Sequence, residues 1–119
     1  MDEHCTVYQT MEILSKKWTL LILLELYKSP TNTKRYSELK TNFPTITPKI
    51  LSTRLKELEH NNLITKHIDT SHFPVKCEYQ LTKSGKDVIP IIKNIKSWAL
   101  RWNIKNKTCA NQDCKECDI

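Results

Sequence analysis

Thr47-Pro48-Lys49-Ile50-Leu51-Ser52-Thr53-Arg54-Leu55-Lys56-Glu57-Leu58-Glu59-His60, followed by Asn61-Asn62, is the most telling segment of the chain. Thr47 offers a side-chain oxygen to the free N–H groups of a first helical turn. Pro48 suits the next position because its missing N–H would be unpaired there anyway. With Leu51 at the centre of an inner face, Leu55 and Leu58 fall beside it and Ile50 flanks them. At about 100° per residue, Lys49, Ser52, Thr53 and Lys56 fall on the far side. The segment predicts a helix held from behind by leucines, with a polar, basic face turned outward, ending just before Asn61-Asn62.

C-terminal to this helix, residues 63–68 have strand character. Lys76-Cys77-Glu78-Tyr79-Gln80-Leu81 alternates Cys77, Tyr79 and Leu81 with polar neighbours, the pattern of a half-buried strand. The joining loop, 69–75, is longer than a tight hairpin turn, and Pro74 limits pairing near its end. On the N-terminal side, residues 36–41 predict a short helix with Leu39 inward, ended by Phe43-Pro44. Residues 17–27 are apolar almost all round, the signature of a helix buried at the centre of its domain. Glu25 and Lys28 mark its expected wet side, and residues 29–33 form a loop. Residues 5–14 predict a short helix with Val7, Met11 and Leu14 on one side. Thr82 can cap a last long helix whose stripe is Val88, Ile91, Ile92, Ile95, Trp98, Ala99 and Trp102. Pro90 should bend that helix, because it lacks a donor and crowds the carbonyl of Lys86.

Three helices and a two-strand wing make the expected fold mainly α with a small β wing, a winged helix–turn–helix. Additional N- and C-terminal helices flank this unit, and part of the last stripe, wider than so small a core requires, is assigned to contact with a second subunit. Packing within one chain is the alternative for that stripe.

A chain of 119 residues fits one domain. Its formal net charge of +6 is unevenly placed. Residues 28–86 hold eleven Lys or Arg against five Asp or Glu, which is the whole excess. A polyanion or an acidic surface is the implied partner. Coincidence of the charge with the amphipathic helix favours nucleic acid over a diffuse solubility charge. The start, Met1-Asp2-Glu3-His4, has no apolar core of a signal peptide. The longest apolar run, residues 20–24, is too short to span a bilayer. A cytoplasmic protein with no membrane partner is expected.

Several pieces of this chain together resemble the HxlR-type (MarR-like) family of winged-helix transcription regulators. They are Cys5 near the N-terminus, Ser15-Lys16-Lys17-Trp18-Thr19-Leu20-Leu21-Ile22-Leu23, Tyr36-Ser37-Glu38-Leu39, the 46–59 helix pattern, and Glu78-Tyr79-Gln80-Leu81-Thr82-Lys83-Ser84-Gly85. The family usually has Pro where Thr6 stands and Gly-Gly where Ser15-Lys16 stands. The resemblance divides the chain into a DNA-binding and dimerisation domain over 5–102 and a cysteine-containing tail over 103–119. It implies a sequence-specific, homodimeric regulator of double-stranded DNA, expected to be a repressor, whose N- and C-terminal helices form the dimer interface. It also implies that Cys5 could sense oxidants or aldehydes.

In such a protein the 47–60 helix would enter the major groove, with two copies reading half-sites about one helical turn apart, roughly 34–36 Å. Thr47, Lys49, Ser52, Thr53 and Lys56 are candidates for base or phosphate contacts; a solvated helix face is the bland alternative. Arg54 lies nearer the inner flank and could reach a phosphate or pair with Glu57 three residues on. Tyr36, Ser37 and Lys40 would meet the sugar-phosphate backbone, where contacts position the duplex without reading it; service in the core is the alternative for Tyr36. Lys66, His67, His72 and Lys76 in the wing could approach the minor groove or its phosphates, or belong to an ordinary solvated hairpin.

Five cysteines remain. Cys77 reads as an apolar filler of its strand. Cys109-x4-Cys114-x2-Cys117 carries one two-residue gap of the kind found in zinc and redox sites. With Cys5 as a fourth thiolate and His4 as a weaker ligand, a tetrahedral zinc site is one expectation. A disulfide or redox switch and plain free thiols are the others. Asp113, Glu116 and Asp118 argue against a reactive thiolate nearby, because like charge disfavours it. No nucleophile–base pair, paired carboxylates or glycine-rich phosphate loop is evident, so an enzyme is not expected. The alternative of another class is a metal- or thiol-dependent protein-interaction module with a basic binding face.

Overall fold

The chain, seen in a computed structural model that describes residues 1–71, 73–102 and 106–117, folds in the order α1 (Thr6–Leu14), α2 (Thr19–Lys28), β1 (Thr33–Arg35), α3 (Tyr36–Asn42), α4 (Pro48–His60), β2 (Ile64–Asp69), β3 (Lys76–Leu81), α5 (Lys83–Trp102) and α6 (Lys107–Ala110), with a final 3₁₀ turn at Cys114–Glu116. α3 and α4 form the helix–turn–helix, and β2 and β3 form the wing.

α4 begins as its sequence predicts. The Ile50 N–H donates to the Thr47 hydroxyl oxygen at 3.2 Å, and Pro48 occupies the first turn. The helix stops where Asn61 caps it and Asn62 takes a positive φ of 62°. Leu51, Leu55 and Leu58 are buried with Ile22, Leu23 and Leu26 of α2, Leu39 of α3, and Ile64, Tyr79 and Leu81 of the sheet, in one apolar core. Burial holds the Tyr79 phenol well above its ordinary pKa, with a hydrogen bond to Cys77 adding to the effect. Cys77 packs against the core, as its alternation implies.

The sheet has three strands in the order β1-β3-β2, all antiparallel. β2 and β3 pair from Ile64↔Leu81 to Asp69↔Lys76. β1 pairs with β3 at Thr33↔Gln80, Lys34↔Tyr79 and Arg35↔Glu78. This third strand adds to the two expected; residues 29–32 of the expected loop are irregular, and only its last residue, Thr33, belongs to the strand. Thr33-Lys34-Arg35 has no apolar alternation, and its strand exists only because β3, far along the chain, offers it an edge.

α2 is also less uniformly buried than its composition suggests. Ile22, Leu23 and Leu26 are fully buried, but Leu21 is 48% exposed. Glu25 and Lys28, expected on the wet side, are largely covered. Glu25 accepts from Lys28 and from Lys34, each at 3.1 Å. Trp18 precedes α2 with a left-handed φ of 82°, a conformation that costs a non-glycine residue about 1–2 kcal/mol. Its ring is held in return by Phe43, edge-on at 5.8 Å between centroids, and by the Lys17 ammonium 5.0 Å above it.

α5 starts on Thr82, whose hydroxyl accepts from the Gly85 N–H at 3.1 Å and donates to the Asn62 carbonyl at 2.6 Å. The helix runs unbroken through Pro90. Val88 and Ile89 reach the core, whereas Ile91, Ile95, Trp98 and Trp102 are at least half exposed. The described part of the tail folds back on the C-terminal end of α2. Lys115 donates to the Tyr27 and Ser29 carbonyls at 2.6 and 3.3 Å. Its ammonium also lies 4.3 Å from the Tyr27 ring centroid. Lys93 on α5 bridges the Tyr27 hydroxyl and Asp113, and both hold its ammonium above the usual pKa, Tyr27 first. Among the described residues no helix is long and apolar enough to cross a membrane.

Candidate nucleic-acid interface

α4 has the two sides its periodicity predicts. While Leu51, Leu55 and Leu58 are buried, Thr47, Lys49, Thr53 and Lys56 are exposed and Ser52 is half-buried. Thr53 donates its hydroxyl proton to the Lys49 carbonyl at 2.8 Å. Its oxygen is thereby left as an acceptor, suited to the exocyclic amino group of adenine or cytosine. Thr47 already accepts the capping bond and stands exposed at the start of the helix.

Arg54 belongs elsewhere. Its Nε donates to the Lys17 carbonyl at 3.0 Å and its guanidinium meets Glu57 at 3.0 Å. Of its two candidate roles, the structure shows the internal one. Glu57 also receives Lys16, so Arg54, Glu57 and Lys16 together fasten α4 to the turn before α2. The Glu57 carboxyl is held below its usual pKa, first by the Lys16 hydrogen bond and then by Arg54. The link reaches back thirty-seven positions to Lys17 and has no signature in local spacing.

Near α3, Ser37 and Lys40 are exposed, while Tyr36 is half-buried and packs on the core. Glu38 accepts from the Arg35 N–H at 3.1 Å and steadies the start of α3. In the wing, Lys66 and His67 are exposed, while Lys76 at the outer end of the hairpin is half-buried. Lys76 stands directly across the ladder from Asp69, so its charge is partly answered within the hairpin. His72 lies outside the described residues, as does Asp118. Phe73, which sequence reasoning missed, is 97% exposed on the loop between the strands. An aromatic beside Pro74 in a polar loop was the signal that could have marked it.

The cysteines do not assemble as the zinc expectation requires. All five are free thiols, each half-buried. Among the described residues, no three His, Cys, Asp or Glu side chains gather where they could hold a metal ion. Cys5 starts α1, while Lys115 carries Cys114 and Cys117 to the end of α2. The tail is therefore anchored by lysine contacts, and the ligand set Cys5, Cys109, Cys114 and Cys117 is not brought together.

Residues 13–107 match the family described as HxlR-like helix-turn-helix. The uncharacterized HTH-type transcriptional regulator YvaP of Bacillus subtilis (strain 168) is 36% identical over 102 residues, 85% of this chain and 91% of that protein. A protein of Porphyromonas gingivalis W83 assigned to the MarR family of transcriptional regulators superposes with a TM-score of 0.75 at 38% identity, over 87% of this chain and 97% of the other. The reduced form of the transcriptional regulator YodB from B. subtilis superposes with a TM-score of 0.73 at 29% identity, over 87% and 98%. YodB is also known in diamide-treated and quinone-bound forms.

Proposed function

This chain belongs to the HxlR-like helix–turn–helix family and is a sequence-specific DNA-binding transcriptional regulator, not an enzyme; we accordingly propose that it acts in the cytoplasm as a homodimeric repressor. α4 of each protomer lies in the major groove with Lys49, Ser52, Thr53 and Lys56 toward the bases and phosphates. Thr47, Tyr36, Ser37 and Lys40 border the sugar-phosphate backbone, and Lys66, His67 and Lys76 bring the wing to the minor groove. Residues 5–102 form the DNA-binding and dimerisation unit, with 103–119 an appended tail. Cys5 serves as a redox-responsive thiol, a role supported by the diamide-treated state in which the relative YodB exists.

One observation carries the interface. Leu51, Leu55 and Leu58 are at most 1% exposed, and that anchoring turns Lys49, Thr53 and Lys56 outward. The test is a salt titration on duplex selected by the protein from a random pool. Lys49→Ala and Lys56→Ala should each lower the slope of log affinity against log salt by about 1, because one phosphate then keeps its counterion. Arg54→Ala should leave the slope alone, because its guanidinium is used inside the fold. Wild-type slopes in both lysine variants would reject this surface.

A further inference from the structure

Phe73 is 97% exposed at the tip of the wing, and Ile68 and Val75 on the same hairpin are 58% and 53% exposed. The polar groups around them are already matched. Asp69 accepts from the Ser71 N–H and hydroxyl and stands opposite Lys76, while Glu78 faces Arg35 at 4.0 Å. Lys66 lies opposite Tyr79 rather than an acid. Among the described residues the tip thus presents Phe73, Ile68 and Val75 as apolar surface, with the wing's basic contacts, Lys66 and His67, set further back on β2.

Placement gives the tip its occupant. β1 covers β3 only at residues 78–80, so the outer end of the hairpin stands clear of the sheet. The cleft beside it is walled by Phe73, Pro74 and Val75 on one side and by Arg35, Tyr36 and Ser37 on the other. Tyr36 and Ser37 lie at the start of α3, the helix assigned to a sugar-phosphate strand. A strand running past them presents its neighbouring minor groove to the wing tip.

We propose that Phe73 is an apolar wedge that enters the minor groove flanking each half-site, packs on the deoxyriboses and unstacks a base step. The proposal rests on the DNA-binding reading and deepens it. A side chain of this kind kinks the duplex by about 20–90° toward the major groove. It favours the easily unstacked pyrimidine–purine steps, TA and CA, and so selects sequence without a hydrogen bond to any base. It displaces no counterion, so it adds affinity without adding to the salt slope.

The test uses the full chain and a duplex that the wild type selects from a random pool, with dyes at both ends to report bending. Phe73→Ala should bind about tenfold more weakly, with an unchanged salt slope and a smaller bend. Phe73→Leu should retain most of both. Replacing flanking TA or CA steps by GC should weaken the wild type and leave Phe73→Ala almost unaffected. Full exposure of Phe73 means that neither variant should unfold, which thermal melts would verify. Wild-type affinity in Phe73→Ala overturns the wedge and assigns the tip to a protein contact. An unchanged bend overturns it even where affinity falls. A wild type that binds no duplex at all removes the DNA reading and the wedge with it.

Discussion

Arg54 sits on the helix proposed to face DNA and still directs its guanidinium inward. Its partners are a carbonyl, that of Lys17, and a carboxylate, that of Glu57, and Lys16 completes the cluster. Such a cluster contributes orientation more than energy, because its side chains remain partly solvated. It sets how far α4 stands from the turn before α2. Glu57 is its centre, and its folded pKa lies below the 4.5 of a free glutamate because Lys16 and then Arg54 favour the charged form. Folding therefore gains from this carboxylate above pH 4.5 and loses the gain as pH falls through the lowered folded value. Glu57→Gln should cost about 1 kcal/mol at neutral pH. The gap to wild type should close as urea melts are taken below pH 4.5. A gap that persists in acid would show that the carboxylate's charge is not what the fold uses.

Among the elements, those with strong local periodicity were legible and those made by distant pairing were not. α4 could be read from its leucine stripe and Thr47-Pro48 start, and the wing from the alternation of Cys77, Tyr79 and Leu81. The outward lysines followed from the same geometry. β1 escaped because Thr33-Lys34-Arg35 becomes a strand only against Tyr79 and its neighbours. The docking of the tail escaped because Lys115 on the Tyr27 carbonyl is a polar contact across eighty-eight positions. The four cysteines of the zinc expectation do not gather within the chain among the described residues, since spacing brings Cys114 near Cys117 but says nothing of where Cys5 lies. Gly85 is a detail that composition hid. It is the only glycine in the chain, and a Cβ there would lie 2.2 Å from the Leu63 carbonyl oxygen. α5 can thus approach the α4–β2 connection only because that position has no side chain. Gly85→Ala should destabilise the protein by about 3 kcal/mol, the upper range for overpacking against rigid backbone. Denaturant melts would check it; a wild-type midpoint would mean that α5 can back away freely.

At the scale of the whole molecule, a long apolar surface on α5 is left uncovered by the described residues. On α5, Ile91, Ile95, Trp98 and Trp102 are 50, 50, 57 and 69% exposed. Their spacing of four, three and four keeps them on one side of the helix, the spacing of a helix–helix seam. Val7 and Met11 of α1 are 59% and 48% exposed and provide a second apolar face of the same kind. Exposed aromatics and isoleucines of this number cost solubility unless covered, and a second copy covers both faces by symmetry. Ile95→Asp with Trp98→Glu should therefore yield a monomer by sedimentation. Val88 and Ile89, which hold α5 to the core, are untouched, so the helical spectrum should remain. Each α4 would still fit its half-site, but the second binding event would no longer be intramolecular. Affinity for the two-site duplex should then fall by about 10²-fold or more. The salt slope should fall to roughly half, because a single protomer neutralises half as many phosphates. A double variant that stays dimeric would place the interface elsewhere. One that becomes monomeric yet keeps wild-type affinity would show that a single α4 and its wing suffice for recognition.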